Sequence, residues 1–122
     1  MHAHQLFALA QQSHQLGDSG KAKEFYHQLL AEHPDHAEGW HFLGLLYCQT
    51  GDLMRGIETL QQAVNLQPAH PIFLTNLGEA FHRAGHLSAA QTVLQQAIAA
   101  DPGFAQAHFN LGNVYKKQNQ RN

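Results

Sequence analysis

The sequence predicts an all-α fold, a solenoid of stacked antiparallel helix pairs. Three observations carry that reading. Pro34, Pro68 and Pro102 stand 34 residues apart, and Gly44, Gly78 and Gly112 keep the same step. So do Gly17, Gly51 and Gly85. Between these marks the apolar residues recur at helical spacing. A fixed period of roughly 20–50 residues means a repeat architecture, in which each unit buries its apolar face against its neighbours. Such an array offers a surface and shows no assembled reaction centre.

Seven helices follow in order. The first, over 3–16, carries Leu6, Leu9, Ala10 and Ser13, and Gly17 ends it. The second, over 19–32, carries Ala22, Tyr26 and Leu29 and stops before Pro34, since proline cannot continue a helix. In the third, over 36–49, Trp40, Leu43 and Tyr47 fall at i, i+3, i+7, one helical face. Gly51-Asp52 breaks the chain there. The glycine suits a left-handed C-terminal cap and the aspartate the start of the next helix. The fourth, over 53–66, presents Ile57, Leu60, Ala63 and Val64 and ends at Pro68. The fifth, over 70–84, presents Leu74, Leu77 and Phe81 and closes on Gly85. The sixth, over 87–100, presents Leu87, Val93, Leu94 and Ala97 before Asp101-Pro102. The seventh, over 105–118, repeats the first half of the period with Leu111, Gly112 and Tyr115. Small residues pair between the two halves of each period: Gly44 with Gly56, Gly78 with Ala90, Ala10 with Ala22. A mid-helix glycine costs about 0.5–1 kcal/mol relative to alanine, which close helix–helix approach offsets.

Composition narrows the function classes. The formal net charge is -2 and only 13% of residues are charged, against the clustered basic face of a nucleic-acid binder. The one basic cluster, Lys116, Lys117 and Arg121, reads as a soluble helix end. A single cysteine, Cys48, makes no internal disulfide. No apolar run approaches the roughly 18 residues of a membrane span. No signal peptide is evident, so the expected setting is cytoplasmic. Among the 11 histidines only His82 and His86 have i, i+4 spacing, while His33 and His36 flank Pro34 in a loop. Neither pair reaches a tetrahedral metal set, so no metal or cofactor is expected and the histidines read as solvated side chains. A pH-sensitive surface is the weaker alternative, through His4, His14, His41 and His82. Cys48 has no convincing catalytic base, the serines sit in no nucleophile elbow, and the glycines do not cluster around a phosphate. The chain is expected not to be an enzyme.

Trp40-x-x-Leu43-Gly44-x-x-Tyr47, then Gly56-x-x-x-Leu60, then Pro68, resembles the tetratricopeptide repeat. Leu74, Leu77-Gly78, Phe81, Ala90, Leu94 and Pro102 repeat the pattern, and Leu111-Gly112 and Tyr115 begin it again, with His108 in the place of Trp40. The resemblance covers nearly the whole chain. It implies a right-handed superhelical solenoid of about three and a half repeats in one domain spanning 1–122. The repeats are expected over 3–36, 37–70 and 71–104, with a partial unit over 105–122. Two explanations fit that partial unit: a polar cap on a three-repeat protein, or an excised piece of a longer array.

The resemblance further implies that the first helix of each unit lines a concave groove for a peptide or partner protein. Glu38, His41, Leu45 and Cys48 form a stripe beside the core face. One period on it becomes Ile72, Thr75, Glu79 and His82, then Gln106, Phe109, Asn113 and Lys116; one period back it is His4, Phe7, Gln11 and His14. These positions vary where core positions repeat. Asn76 and Asn110 occupy the place where repeats resembling those of O-linked N-acetylglucosamine transferase clasp a peptide backbone, but Phe42 and Ala8 occupy it elsewhere. Phe7, Gln11 and Phe42 stand where the chaperone-tail-binding subclass needs its cationic clamp, which argues against that subclass. The expected partner-binding residues are therefore His41, Leu45, Thr75, Asn76, Glu79, His82, Phe109, Asn110 and Asn113. Three readings follow: an interaction module, the recognition arm of a larger enzyme such as a glycosyltransferase, and an oligomer assembled through the unfinished C-terminal unit.

Overall fold

The structure, a computed structural model, describes residues 1–121, and side chains as far as Gln120; the side chain of Arg121 and all of Asn122 lie outside the described residues. Seven helices appear among them: α1 (Ala3–Gln15), α2 (Ser19–Glu32), α3 (Ala37–Gln49), α4 (Leu53–Leu66), α5 (Pro71–Arg83), α6 (Leu87–Ala100) and α7 (Ala105–Arg121). No strand occurs among the described residues. The fold is an all-α tetratricopeptide-like solenoid.

Local chemistry sets these boundaries. Gly17, Gly51 and Gly85 all adopt left-handed φ, at 82°, 92° and 82°, and each ends a helix at a conformation that a β-carbon disfavours. Asp18 and Asp52 cap the helices that follow, accepting from the amides of Lys21 (3.0 Å) and Arg55 (3.3 Å). The third and fifth helices begin one residue later than the sequence predicts, because His36 and His70 serve as their caps. His36 Nδ1 accepts from the Gly39 amide at 2.9 Å and His70 Nδ1 from the Phe73 amide at 3.3 Å. The seventh helix outlasts its predicted end at 118, since no glycine or proline follows to stop it.

The chain forms two compact units, Met1–Leu66 and the segment from Gln67 on. In the first, α1–α2 and α3–α4 are helical hairpins around a core of Leu6, Ala10, Ala22, Tyr26, Leu29, Leu43, Leu46 and Tyr47. Burying each leucine contributes about 1.5–3 kcal/mol. The mid-helix glycines mark the closest approaches. A β-carbon on Gly44 would stand 2.7 Å from Leu60 Cγ and 2.9 Å from the Leu60 backbone nitrogen. One on Gly56 would strike Cys48 Sγ. Trp40 is half-buried and its Nε1–H donates to Pro34 O at 2.8 Å, tying the helix to the loop before it.

In the second unit, α5 and α6 form a hairpin and α7 packs on α6. Leu87, Ala90, Leu94, Leu111 and Val114 make the core. Gly78 sits on Leu94, whose Cγ would lie 2.6 Å from an added β-carbon. His108 makes the bond that Trp40 makes two repeats earlier, while Leu74 holds the place between them; the His108 Nε2–H donates to Pro102 O at 2.7 Å. The hydrogen bond to the proline carbonyl is common to Trp40 and His108, although the residue changes from indole to imidazole.

Candidate functional site

The first unit holds a cleft of about 260 Å³ between α1 and α3. Gln11, His14 and Gln15 line it from α1, Phe42, Leu45 and Gln49 from α3, and Tyr26 from α2. An aromatic cluster fixes one side. The Phe7 ring lies 5.7 Å from Phe42, 6.3 Å from Tyr26 in an edge-on arrangement, and 5.1 Å from His36. At the other side His14 Nε2–H donates to Gln49 Oε1 at 2.9 Å, bridging the two helices. Tyr26 is 1% exposed. Burial pushes its phenol up to about 12 from the ordinary 10.0. Among the described residues no hydrogen bond reaches its hydroxyl.

Every lining side chain lacks a carboxylate, an ammonium and a guanidinium. Two cations of this unit are engaged elsewhere, Lys23 and Arg55. Lys23 Nζ and Arg55 Cζ lie 5.3 and 5.5 Å from the centroid of the Tyr47 ring, and Tyr47 Oη and His27 Nε2 share a hydrogen bond of 2.7 Å.

The expected stripe needs re-registering against this geometry. Leu45, Gln11 and His14 line the cleft. His41 does not join them, being 3% exposed. Cys48 is likewise buried and faces Gly56 on α4, so it belongs to the hairpin contact and not to the stripe. The cause is helical phase. Cys48 follows Gly44 by four residues and so shares its face. The α3 residues in the cleft are Phe42, Leu45 and Gln49, at i, i+3, i+7, with Phe42 and Gln49 missed by the sequence reading although that spacing was visible in it.

In the second unit, Thr75 is 1% exposed, which leaves its side chain no surface to offer a partner. Asn76, His82 and Asn113 are half-buried and Glu79 is exposed. Phe109 is 65% exposed. Asn110 is buried; its Oδ1 accepts from Gln106 Nε2 at 2.9 Å, and its Nδ2 has no partner among the described residues. On α7, Gly112 and Tyr115 are exposed, and an added β-carbon on Gly112 meets nothing within 4 Å.

The histidines do more than the sequence reading gave them. His36 and His70 cap helices, His108 ties α7 to its loop, and His14 and His27 bridge helices. The recurrence of His2, His36 and His70 at 34-residue steps was the available signal. No three His, Cys, Asp or Glu side chains come together as metal ligands among the described residues. No helix among them is long and apolar enough to cross a membrane.

Helix pairs at a constant period, glycine-to-leucine contacts within hairpins and a cleft between successive first helices coincide with a family profile. The Cilia and flagella-associated protein 70 middle TPR-like domain matches residues 6–122. The chain belongs to the tetratricopeptide repeat-like family. Among solved structures, a crystal structure of MamA is similar at a TM-score of 0.86 and 29% identity, covering 91% of this chain and 65% of that one. An O-GlcNAc transferase mutant from Thermobaculum terrenum is similar at 0.81 and 27% identity, over 92% of this chain and 22% of the transferase. The first TPR of Spaghetti (RPAP3), bound to the HSP90 peptide SRMEEVD, superposes at 0.89 with 15% identity, over 95% and 92% of the two chains, a likeness of fold alone. This tetratricopeptide chain spans less than two thirds of the MamA structure and about a fifth of the transferase. No curated protein sequence matches it.

Proposed function

We propose that this tetratricopeptide domain is a non-enzymatic protein-interaction module that holds a peptide or partner segment against the first helices of its repeats. The observation that carries the reading is the α1–α3 cleft, a concave surface with an aromatic and aliphatic floor and an amide rim. The HSP90 peptide on the RPAP3 domain is support from a neighbour of the same fold. Leu45 of the first unit, with Asn76, Glu79, His82, Phe109, Asn110 and Asn113 of the second, are the proposed docking positions. His41 and Thr75 serve as their buried backing. The proposed setting is cytoplasmic, and the whole chain is proposed to act as one array of repeats over 3–36, 37–70 and 71–104 with a partial unit from 105.

The test is a pull-down with wild type and with Leu45→Glu/Phe109→Glu. Phe109 is already largely solvated, so its change leaves the fold intact, which the helical circular dichroism of the variant checks. Partners retained by wild type and lost by the variant support the reading; identical partner sets defeat it.

The transferase likeness favours a second reading, in which the chain is the substrate-recognition arm of a larger glycosyltransferase-type enzyme. A reading frame continuing past Asn122 into more repeats and an α/β domain would favour it. The open face of α7 around Gly112 and Tyr115 favours a third, self-association. Sedimentation at several concentrations tests it, and a strictly monomeric result removes it.

A further inference from the structure

We infer that the α1–α3 cleft selects an uncharged partner segment, in which a side-chain carboxamide or hydroxyl accepts a hydrogen bond from Tyr26 while an adjacent aliphatic side chain covers Phe42 and Leu45. This rests on the reading of the cleft as a docking surface and adds the chemistry of what docks.

Four observations lead there. First, the cleft holds about 260 Å³, below the roughly 300–1,000 Å³ of small-molecule sites, so it accommodates one or two side chains of a peptide. Second, Tyr26 offers a phenolic O–H on the cleft wall with no internal acceptor among the described residues. A donor with no internal partner on the wall of a cleft is open to an acceptor brought by a ligand. Third, that acceptor has to be neutral. Desolvation already disfavours a negative charge at this phenol, and a partner carboxylate would enter the same poorly solvated ground with no lysine or arginine in the lining to compensate it. Fourth, the rim consists of Gln11, Gln15, Gln49 and His14, groups that donate to and accept from amides. The cleft thus differs in charge from what an acidic tail requires, although the fold is shared with a domain seen bound to SRMEEVD.

The experiment is selection of a random 12-residue peptide library on the immobilised domain at pH 8, followed by affinity measurement of the best peptide on wild type, Tyr26→Phe and Phe42→Glu. The expected peptides carry Gln, Asn, Ser or Thr beside an aliphatic residue and are depleted in Asp and Glu. The best of them binds about five- to tenfold more weakly to Tyr26→Phe, the loss of one hydrogen bond, and at least tenfold more weakly when its amide residue is changed to the matching acid. Enrichment of acidic peptides that Phe42→Glu abolishes would overturn the inference while leaving the docking surface in place. So would a Tyr26→Phe affinity equal to wild type. Peptides that bind wild type and Phe42→Glu alike, or no enrichment at all, would overturn the docking surface itself and the inference with it.

Discussion

Gly44, Gly78 and Gly112 occupy one repeat position in α3, α5 and α7, yet their surroundings differ enough that the same change to alanine should have three outcomes. Each substitution gains about 0.5–1 kcal/mol of helix propensity, because glycine loses more backbone freedom on folding. At Gly112 nothing lies within 4 Å of the new methyl, so the gain is kept whole. At Gly78 the methyl meets Leu94 Cγ, Cδ2 and Cδ1 at 2.6, 2.8 and 3.2 Å, all side-chain atoms, so repacking one leucine absorbs part of the conflict. At Gly44 the methyl meets Leu60 Cγ and Cδ2 at 2.7 and 2.8 Å and also the Leu60 backbone nitrogen at 2.9 Å, so α4 itself must move. Overpacking of a well-filled interior costs about 1–3 kcal/mol. The expected order of stability is therefore Gly112→Ala above wild type by about 0.5–1 kcal/mol, then Gly78→Ala near or slightly below wild type, then Gly44→Ala lower by about 1–2 kcal/mol. Urea unfolding followed at 222 nm reads the order as a shift in midpoint. Repeat arrays unravel by units, so midpoints are compared without assuming one two-state transition. A Gly112→Ala midpoint below wild type, or a Gly44→Ala midpoint at or above it, would refute the close-approach argument.

The same hairpins yield further expectations. His36→Ala and His70→Ala each remove an acceptor from the first turn of a helix and should lower stability by about 0.5–1.5 kcal/mol, whereas His36→Asn and His70→Asn should keep most of it, as thermal melts would show. Tyr26 should add an alkaline limb. Its folded pKa, about 12, lies above the ordinary 10.0, so its contribution is fully present below pH 10 and is lost as pH rises from 10 through 12. Comparing wild type with Tyr26→Phe by urea midpoints between pH 9 and 12 checks this: the difference between the two should change with pH in favour of Phe, and a constant difference would show that the phenol is not desolvated. Asp18→Ala and Asp52→Ala should each cost about 1 kcal/mol, and a neutral result in either would mean that the cap is replaced by solvent.

The fold was legible because its period repeats local rules that need no tertiary information. Glycine at the left-handed position and proline past the second helix punctuate every full unit, with aspartate after the glycine in the first two and His86 in the third, and α1 to α6 begin and end within a residue of where that grammar puts them. The site was less legible, for a reason of angle. A stripe read one residue out of phase turns by about 100° on a helix, enough to exchange a cleft-lining face for a packing face. Leu45 survives that error because it lies on the shared edge; His41 and Cys48 do not. Shifted by whole periods, the observed α3 set Phe42, Leu45 and Gln49 becomes Asn76, Glu79 and Arg83, then Asn110, Asn113 and Lys117. Asn76, Glu79, Asn110 and Asn113 therefore keep the register of the cleft residues, whereas Thr75, His82 and Phe109 keep the register of the buried His41 and Cys48 or lie beside it. Phe109 is exposed all the same, at the repeat position where His41 and Thr75 are covered, so burial at a fixed repeat position is set by the neighbours that flank each helix. Repeat position alone then ranks Asn76, Glu79, Asn110 and Asn113 above Thr75 and His82 as contacts. Alanine substitution of the first four should weaken partner capture more than substitution of the latter two, once any loss of stability at Thr75 is subtracted.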